Sequence, residues 1–296
     1  MKLFAPKYYL DFACIADKCR HSCCVGWEID IDGETLPKYA ALDCDYAENI
    51  RESIEQGDVP HFRMGTDGRC THLDDRGLCR IISNIGECAL SEICREHPRF
   101  YHTSAARREV GLGLCCEEAC RIVLSSDCYG EFIEIGEADG AENGDFDPTA
   151  HRARIYSIIS NRDMPYTDRL RALYGEYGFE FGCFGNGWSE VLESLEYLEE
   201  DHRALICDFT DAGSCGHEKE LERALAYFVY RHCSPAEDEG EFKIGLGFAL
   251  FCERLLASMA KNAPDEPLTD LARILSEEIE YSEENCEAIK TEIMFL

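Results

Sequence analysis

Past residue 148 the apolar positions recur at intervals of three and four. Ile155, Ile158 and Ile159 share one helical face, and Val191, Leu192, Leu195 and Leu198 mark a second helix after Gly187. Leu221, Leu225, Phe228 and Val229 mark a third, which stops before Ser234-Pro235. From about Phe242 to Met259 the chain is apolar on most sides, which predicts a central helix. Thr269-Asp270 can cap a fifth helix carrying Leu271, Ile274, Leu275 and Ile279, and Cys286, Ile289 and Ile293 define a last one. No fixed-period repeat is visible, and no alternation of strands with helices, so a doubly wound sheet is not expected.

The first half is less regular. Trp27 to Gly33 alternates apolar and acidic residues, as a short half-exposed strand would, and helical turns fit Leu36 to Ile54 and the stretch after Cys116. Gly136 to Asp145 is acidic, glycine-rich and almost free of large apolar groups, the composition of a linker or exposed loop. Asp147-Pro148 then reads as a helix start. The expected organisation is a cysteine-rich metal or iron–sulfur module over 1–135, an acidic Gly-rich linker over 136–148 and an α-helical domain over 149–296. The fold class is mainly α, an irregular cysteine-rich metal-binding module packed on an α-helical domain.

Composition sharpens this picture. The chain has 296 residues and 19 cysteines, thirteen of them between Cys14 and Cys128. It shows no run of about 18 apolar residues and no export signal at Met1 to Lys7, so the expectation is a cytoplasmic protein outside the membrane. In a reducing compartment clustered cysteines point to metal rather than to disulfides. The formal net charge of −30 repels phosphate backbones, which argues against nucleic acid and favours a partner presenting lysine or arginine. Solubility alone explains the charge equally well.

The cysteines fall into three groups. The first is Cys14, Cys19, Cys23 and Cys24; the second is Cys70, Cys79 and Cys94, with His97 and Arg99 close behind; the third is Cys115, Cys116 and Cys120. Thiolates suit zinc and iron–sulfur clusters alike. The Cys19/Cys23 and Cys116/Cys120 spacings match zinc knuckles, whereas the long unequal gaps fit a cluster gathered from distant loops. The C-x3-C-x2-C pattern of radical enzymes is absent, because Cys24 follows Cys23 directly.

Phe12-Ala13-Cys14, Cys23-Cys24-Val25-Gly26-Trp27, Cys70 to Leu73, Leu78-Cys79, Leu90-Ser91 with Cys94 and Pro98-Arg99, and Leu114 to Ala119 occur in this order. Together they resemble the flagellin lysine-N-methylase (FliB) family, with the cysteine pattern of YkgJ-type zinc- or iron-chelating proteins. Tyr227 to His232 and Ser276 to Asn285 resemble family segments in the helical half. The resemblance implies a metal set of Cys14, Cys19, Cys23, Cys24, Cys70, Cys79, Cys94 and Cys116. It further implies a 4Fe–4S cluster, with zinc or other iron as alternatives, and methyl transfer from S-adenosylmethionine to a lysine ε-amine, typically on flagellin. Arg95, His97 and Arg99, beside Cys94, could bond cluster sulfurs or hold the donor's carboxylate, against the plainer reading of bridges to nearby acids. Attack of a neutral amine on a sulfonium methyl needs no metal, so the cluster's role stays open between donor binding, fold ordering and redox work. No catalytic residue stands out. Gly111 to Leu114 and Gly182 to Gly187 read as loops rather than nucleotide-binding turns. A non-enzymatic iron–sulfur or zinc protein, serving electron transfer or structural interaction, is the rival reading.

Overall fold

The computed structural model describes residues 1–104, 107–138, 146–185, 187–211 and 216–296. Its elements run β1 (Lys2–Pro6), β2 (Ile29–Asp30), α1 (Thr35–Ala41), α2 (Ala47–Ser53), β3 (Ile54–Glu55), β4 (His61–Phe62), α3 (Arg80–Asn84), α4 (Glu92–Glu96), β5 (Arg99–Thr103), β6 (Arg108–Leu112), α5 (Glu117–Ser125) and β7 (Phe132–Glu137). There follow α6 (Thr149–Ile159), α7 (Tyr166–Glu176), α8 (Trp188–Glu193), α9 (Glu200–Cys207), α10 (Glu218–Cys233), α11 (Glu239–Asn262), α12 (Leu268–Leu275), a π-helical turn at Ser276–Glu280 and α13 (Glu283–Ile293). The protein is mainly α, as its periodicity predicts.

The chain forms two compact units, Ala13–Arg99 and a larger one joining Met1–Phe12 to Phe100–Leu296. The division therefore falls at 12/13 and 99/100 rather than at the expected 135/136. The reason is long-range pairing. β1 runs parallel to β6, with Leu3 opposite Arg108, and antiparallel to β7, with Pro6 opposite Phe132. The resulting sheet has the order β5-β6-β1-β7. Leu112, Leu114, Ala119, Ile122 and Val123 lie in the same core as the late helices, so residues 100–135 fold with the helical half. Gly136 and Glu137 end β7, and of the expected linker residues 139–145 lie outside the described residues.

Within the larger unit α10 packs on α11, which is buried all round from Gly245 to Ala260. A Cβ at Gly245 would stand 2.3 Å from the His232 carbonyl oxygen, so only hydrogen fits where α11 passes the end of α10. Pro148 rather than Asp147 stands at the N-terminal boundary of α6, and the Asp147 carboxylate just before it accepts the Thr149 N–H at 3.0 Å. The helix expected through Leu198 stops at Glu193, and α7 and α9 lie where none was expected. Thr269 and Asp270 sit inside the first turn of α12 instead of capping it.

The smaller unit holds a three-stranded sheet, β2-β4-β3, and short helices around a modest core of Ile29, Ile31, Tyr39, Ile50, Phe62, Cys70 and Ile81. So few buried apolar side chains make a weak core for this length of chain, the situation in which a metal or other cross-link commonly supplies the balance.

Candidate metal centre

Local backbone chemistry draws four thiols together. Gly26 and Gly68 both take positive φ, and the Gly26 N–H reaches the Gly68 carbonyl at 2.9 Å. Beside that contact the Cys70 N–H donates to the Cys24 carbonyl at 2.8 Å, which fixes Cys24 next to Cys70. Asp74 then turns the chain back: its carboxylate accepts the Arg76 and Leu78 N–H groups, each at 2.9 Å, with Gly77 in the left-handed region. The turn sets Cys79 opposite Leu73 and at the N-terminal boundary of α3. Cys94 comes from α4, whose first N–H, from Glu92, is tied to the Asp32 carboxylate at 2.8 Å. Burial pushes Asp32 up, but the N–H groups of Glu92, Thr35 and Glu34 outweigh it and hold the carboxyl at about 2.

Cys24, Cys70, Cys79 and Cys94 line one cavity of about 20 Å³, with Ser91 and His72 also on its wall and the remainder apolar. Neighbouring donors favour the ionised form of each thiol: the Cys23 thiol and Ser22 hydroxyl for Cys24, the His72 N–H for Cys70, the Ile82 and Ile81 N–H groups for Cys79, and the Ser91 hydroxyl for Cys94. The Cys23 hydrogen bond, against the effect of burial and with help from Ser22 and the nearby Arg69 charge, brings Cys24 down to about 7. Burial pushes Cys70 up to about 12, Cys94 to about 11, and Cys79 upward as well.

His72 is not free to join them. Ser53 donates to the Ile50 carbonyl at 2.6 Å, so its oxygen accepts Nε2–H of His72 at 2.7 Å. Nδ1 is then left to accept from the Tyr46 hydroxyl at 3.0 Å.

Four thiols from four chain segments form the donor set of a four-cysteine zinc site or of a 4Fe–4S cluster. A buried hydroxyl without a partner of ordinary geometry, Ser91 Oγ, also suits a group rich in sulfur acceptors. Among the described residues no three His, Cys, Asp or Glu side chains converge as the ligands of a single ion. Loading with either group would therefore rearrange the thiols.

No family model matches the chain, and no solved structure matches it. Curated relatives do. The flagellar biosynthetic protein FliU of Salmonella muenchen is 30% identical over 131 residues, covering 40% of this chain and 75% of FliU. The chain belongs to the FliU family. Proteins named lysine-N-methylase from Salmonella choleraesuis and Salmonella typhimurium are 29% identical over 131 residues, but the match spans only 32% of their length.

The other site residues of this FliU-family chain lie elsewhere. Cys14 and Cys23 are exposed, Cys19 is half-buried with its thiol 2.9 Å from the His21 carbonyl, and none of the three lines the cavity. Cys116 belongs to the larger unit, at the start of α5. Arg95 pairs with Glu96 at 3.2 Å, and Arg99 reaches the Arg95 carbonyl at 3.5 Å. The His97 ring lies 6.4 Å from that of Trp27, whose indole N–H donates to the Cys23 carbonyl at 2.8 Å. Its Nε2 is buried without a partner. Sequence reading overlooked Asp32, Ser53 and Tyr46; Ser91 was visible only as part of the Leu90-Ser91 pair.

Proposed function

We propose that this chain is a metal-centre protein-lysine N-methyltransferase, moving a methyl group from S-adenosylmethionine to a lysine ε-amine of a flagellin-like protein in the cytoplasm. Cys24, Cys70, Cys79 and Cys94 hold its metal, read as a 4Fe–4S cluster. The four-thiol cavity carries the metal half of this reading; the names of the lysine-N-methylase relatives support the transfer half. The unequal gaps between the four cysteines favour a cluster over a zinc knuckle.

In the transfer the neutral amine's lone pair forms the new N–C bond as the methyl–sulfonium bond breaks, and that bonding pair leaves on sulfur as the uncharged thioether. The lysine must first surrender a proton, because an ammonium has no lone pair. A surface of net charge −30 attracts lysine-bearing substrates yet favours their charged form, so the reacting amine must be desolvated at the point of attack. A metal–sulfur group held by these thiolates would supply cross-links among four chain segments in a unit whose own core is small.

Anaerobically purified protein should contain about four irons and four sulfides per chain, with broad absorption near 400 nm. Incubated with flagellin and methyl-labelled S-adenosylmethionine, it should label lysine. Zinc without sulfide would sink the cluster; a loaded centre with no labelling would leave the non-enzymatic reading.

A further inference from the structure

Ser91 is wholly buried, stands on the cavity wall with the four thiols, and its hydroxyl has no hydrogen-bond partner of ordinary geometry. A buried hydroxyl in that condition costs free energy. It sits at the N-terminal boundary of α4, three residues before Cys94, where a serine ordinarily caps the helix through its side chain. Here no such cap bond forms. The first N–H of α4, from Glu92, is held by the Asp32 carboxylate at 2.8 Å. Ser91 Oγ is thus left without a capping bond, on the wall that the four thiols share.

We propose that Ser91 is a positioning residue for the metal centre, donating its O–H to the Cys94 sulfur once that sulfur is a metal-bound thiolate. A neutral thiol is a poor acceptor, whereas a thiolate is a strong one. The hydroxyl is therefore under-used in the metal-free protein and satisfied in the loaded one. No bond other than this hydrogen bond is made or broken, and the role is the same for zinc or iron. The inference rests on the proposal that these thiols bind metal, not on the methyl-transfer reading.

The test compares wild type, Ser91→Ala and Ser91→Thr, each loaded anaerobically with iron and sulfide or with zinc. Release of metal to excess EDTA is followed over time, and urea unfolding of the metal-free forms is followed in parallel. Ser91→Ala is expected to release metal about 10-fold faster, the lower end of what losing an outer hydrogen bond to a metal ligand costs. Ser91→Thr, which keeps the hydroxyl, should stay close to wild type. The metal-free urea midpoint of Ser91→Ala should equal or exceed that of wild type. Equal release rates for wild type and Ser91→Ala would overturn the inference while leaving the metal site standing. A lowered metal-free midpoint for Ser91→Ala would also overturn it, by showing that the hydroxyl is already used without metal. A wild-type protein that takes up neither iron and sulfide nor zinc would overturn the metal site itself, and the role of Ser91 with it.

Discussion

Nε2 of His72 lies 2.7 Å from the Ser53 hydroxyl oxygen, which makes this cavity-wall histidine a brace between α2 and the Cys70 loop. With Nδ1 on Tyr46 as well, the ring has no nitrogen left for a metal. His72→Ala is expected to lower the unfolding free energy by about 2–4 kcal/mol through the lost ring and two stranded hydroxyls. Metal content per folded chain should not change. Urea unfolding together with metal analysis checks both halves, and a folded variant emptied of metal would place His72 among the ligands.

The cysteines divide sharply by position. Cys24→Ser, Cys70→Ser, Cys79→Ser and Cys94→Ser should each lose most of the bound metal, since each removes one of four thiols on a shared wall. Cys44→Ser and Cys88→Ser, at exposed positions, should bind as wild type does, and Cys14→Ser and Cys23→Ser should too. Metal and sulfide analysis of the eight proteins reads this out. Metal loss from Cys14→Ser would restore a larger ligand set.

How much could be read in advance differs between the two halves. The central helix was plain because Phe242 to Met259 is apolar on nearly every face, and α11 is indeed buried all round. α7 was overlooked although Tyr166, Leu170, Leu173 and Tyr174, at i, i+4, i+7 and i+8, are all buried. The four-stranded sheet was illegible for a different reason: β1 finds both partners more than a hundred residues away, and five residues are too few to show a period. Cysteine spacing pointed to metal, yet which thiols share one cavity depends on the Asp74–Gly77 turn and on the Gly26–Gly68 contact. Neither feature announces its partner in the sequence.

Two histidines of the larger unit, His232 buried and His102 half-buried, make it acid-sensitive. Burial brings His232 down to about 4 and His102 to about 3, against an ordinary value of 6.5. Below pH 6.5 the unfolded chain takes up protons that these folded rings refuse, so stability is complete above that pH. It falls as the pH drops toward 4 and then 3. Glu280 acts in the same direction. Burial opposes its ionisation, but Arg231 and His232, the latter 2.7 Å away, hold it below the usual carboxylate range. Urea midpoints measured from pH 7.5 to 4.5 should decline steadily. His232→Gln should flatten part of that decline, and an unchanged slope would count against His232 as a source.

Gly111 shows why a glycine-rich stretch need not bind a nucleotide. It lies in β6, where Phe100 and Tyr230 cover its backbone, and a Cβ there would stand 2.2 Å from Phe100 Cζ and 2.7 Å from Tyr230 Cε1. The residue is glycine because two aromatic rings occupy the place of a side chain. Gly111→Ala is expected to destabilise the protein by about 1–3 kcal/mol, the usual cost of overpacking a filled core. Phe100→Leu in the same chain removes the ring atoms nearest the new methyl. The double variant should therefore be more stable than the sum of the single effects allows, a coupling that urea unfolding of all four proteins measures directly. Strict additivity would mean that the rings yield to the methyl without cost, and that the glycine answers to something other than this contact.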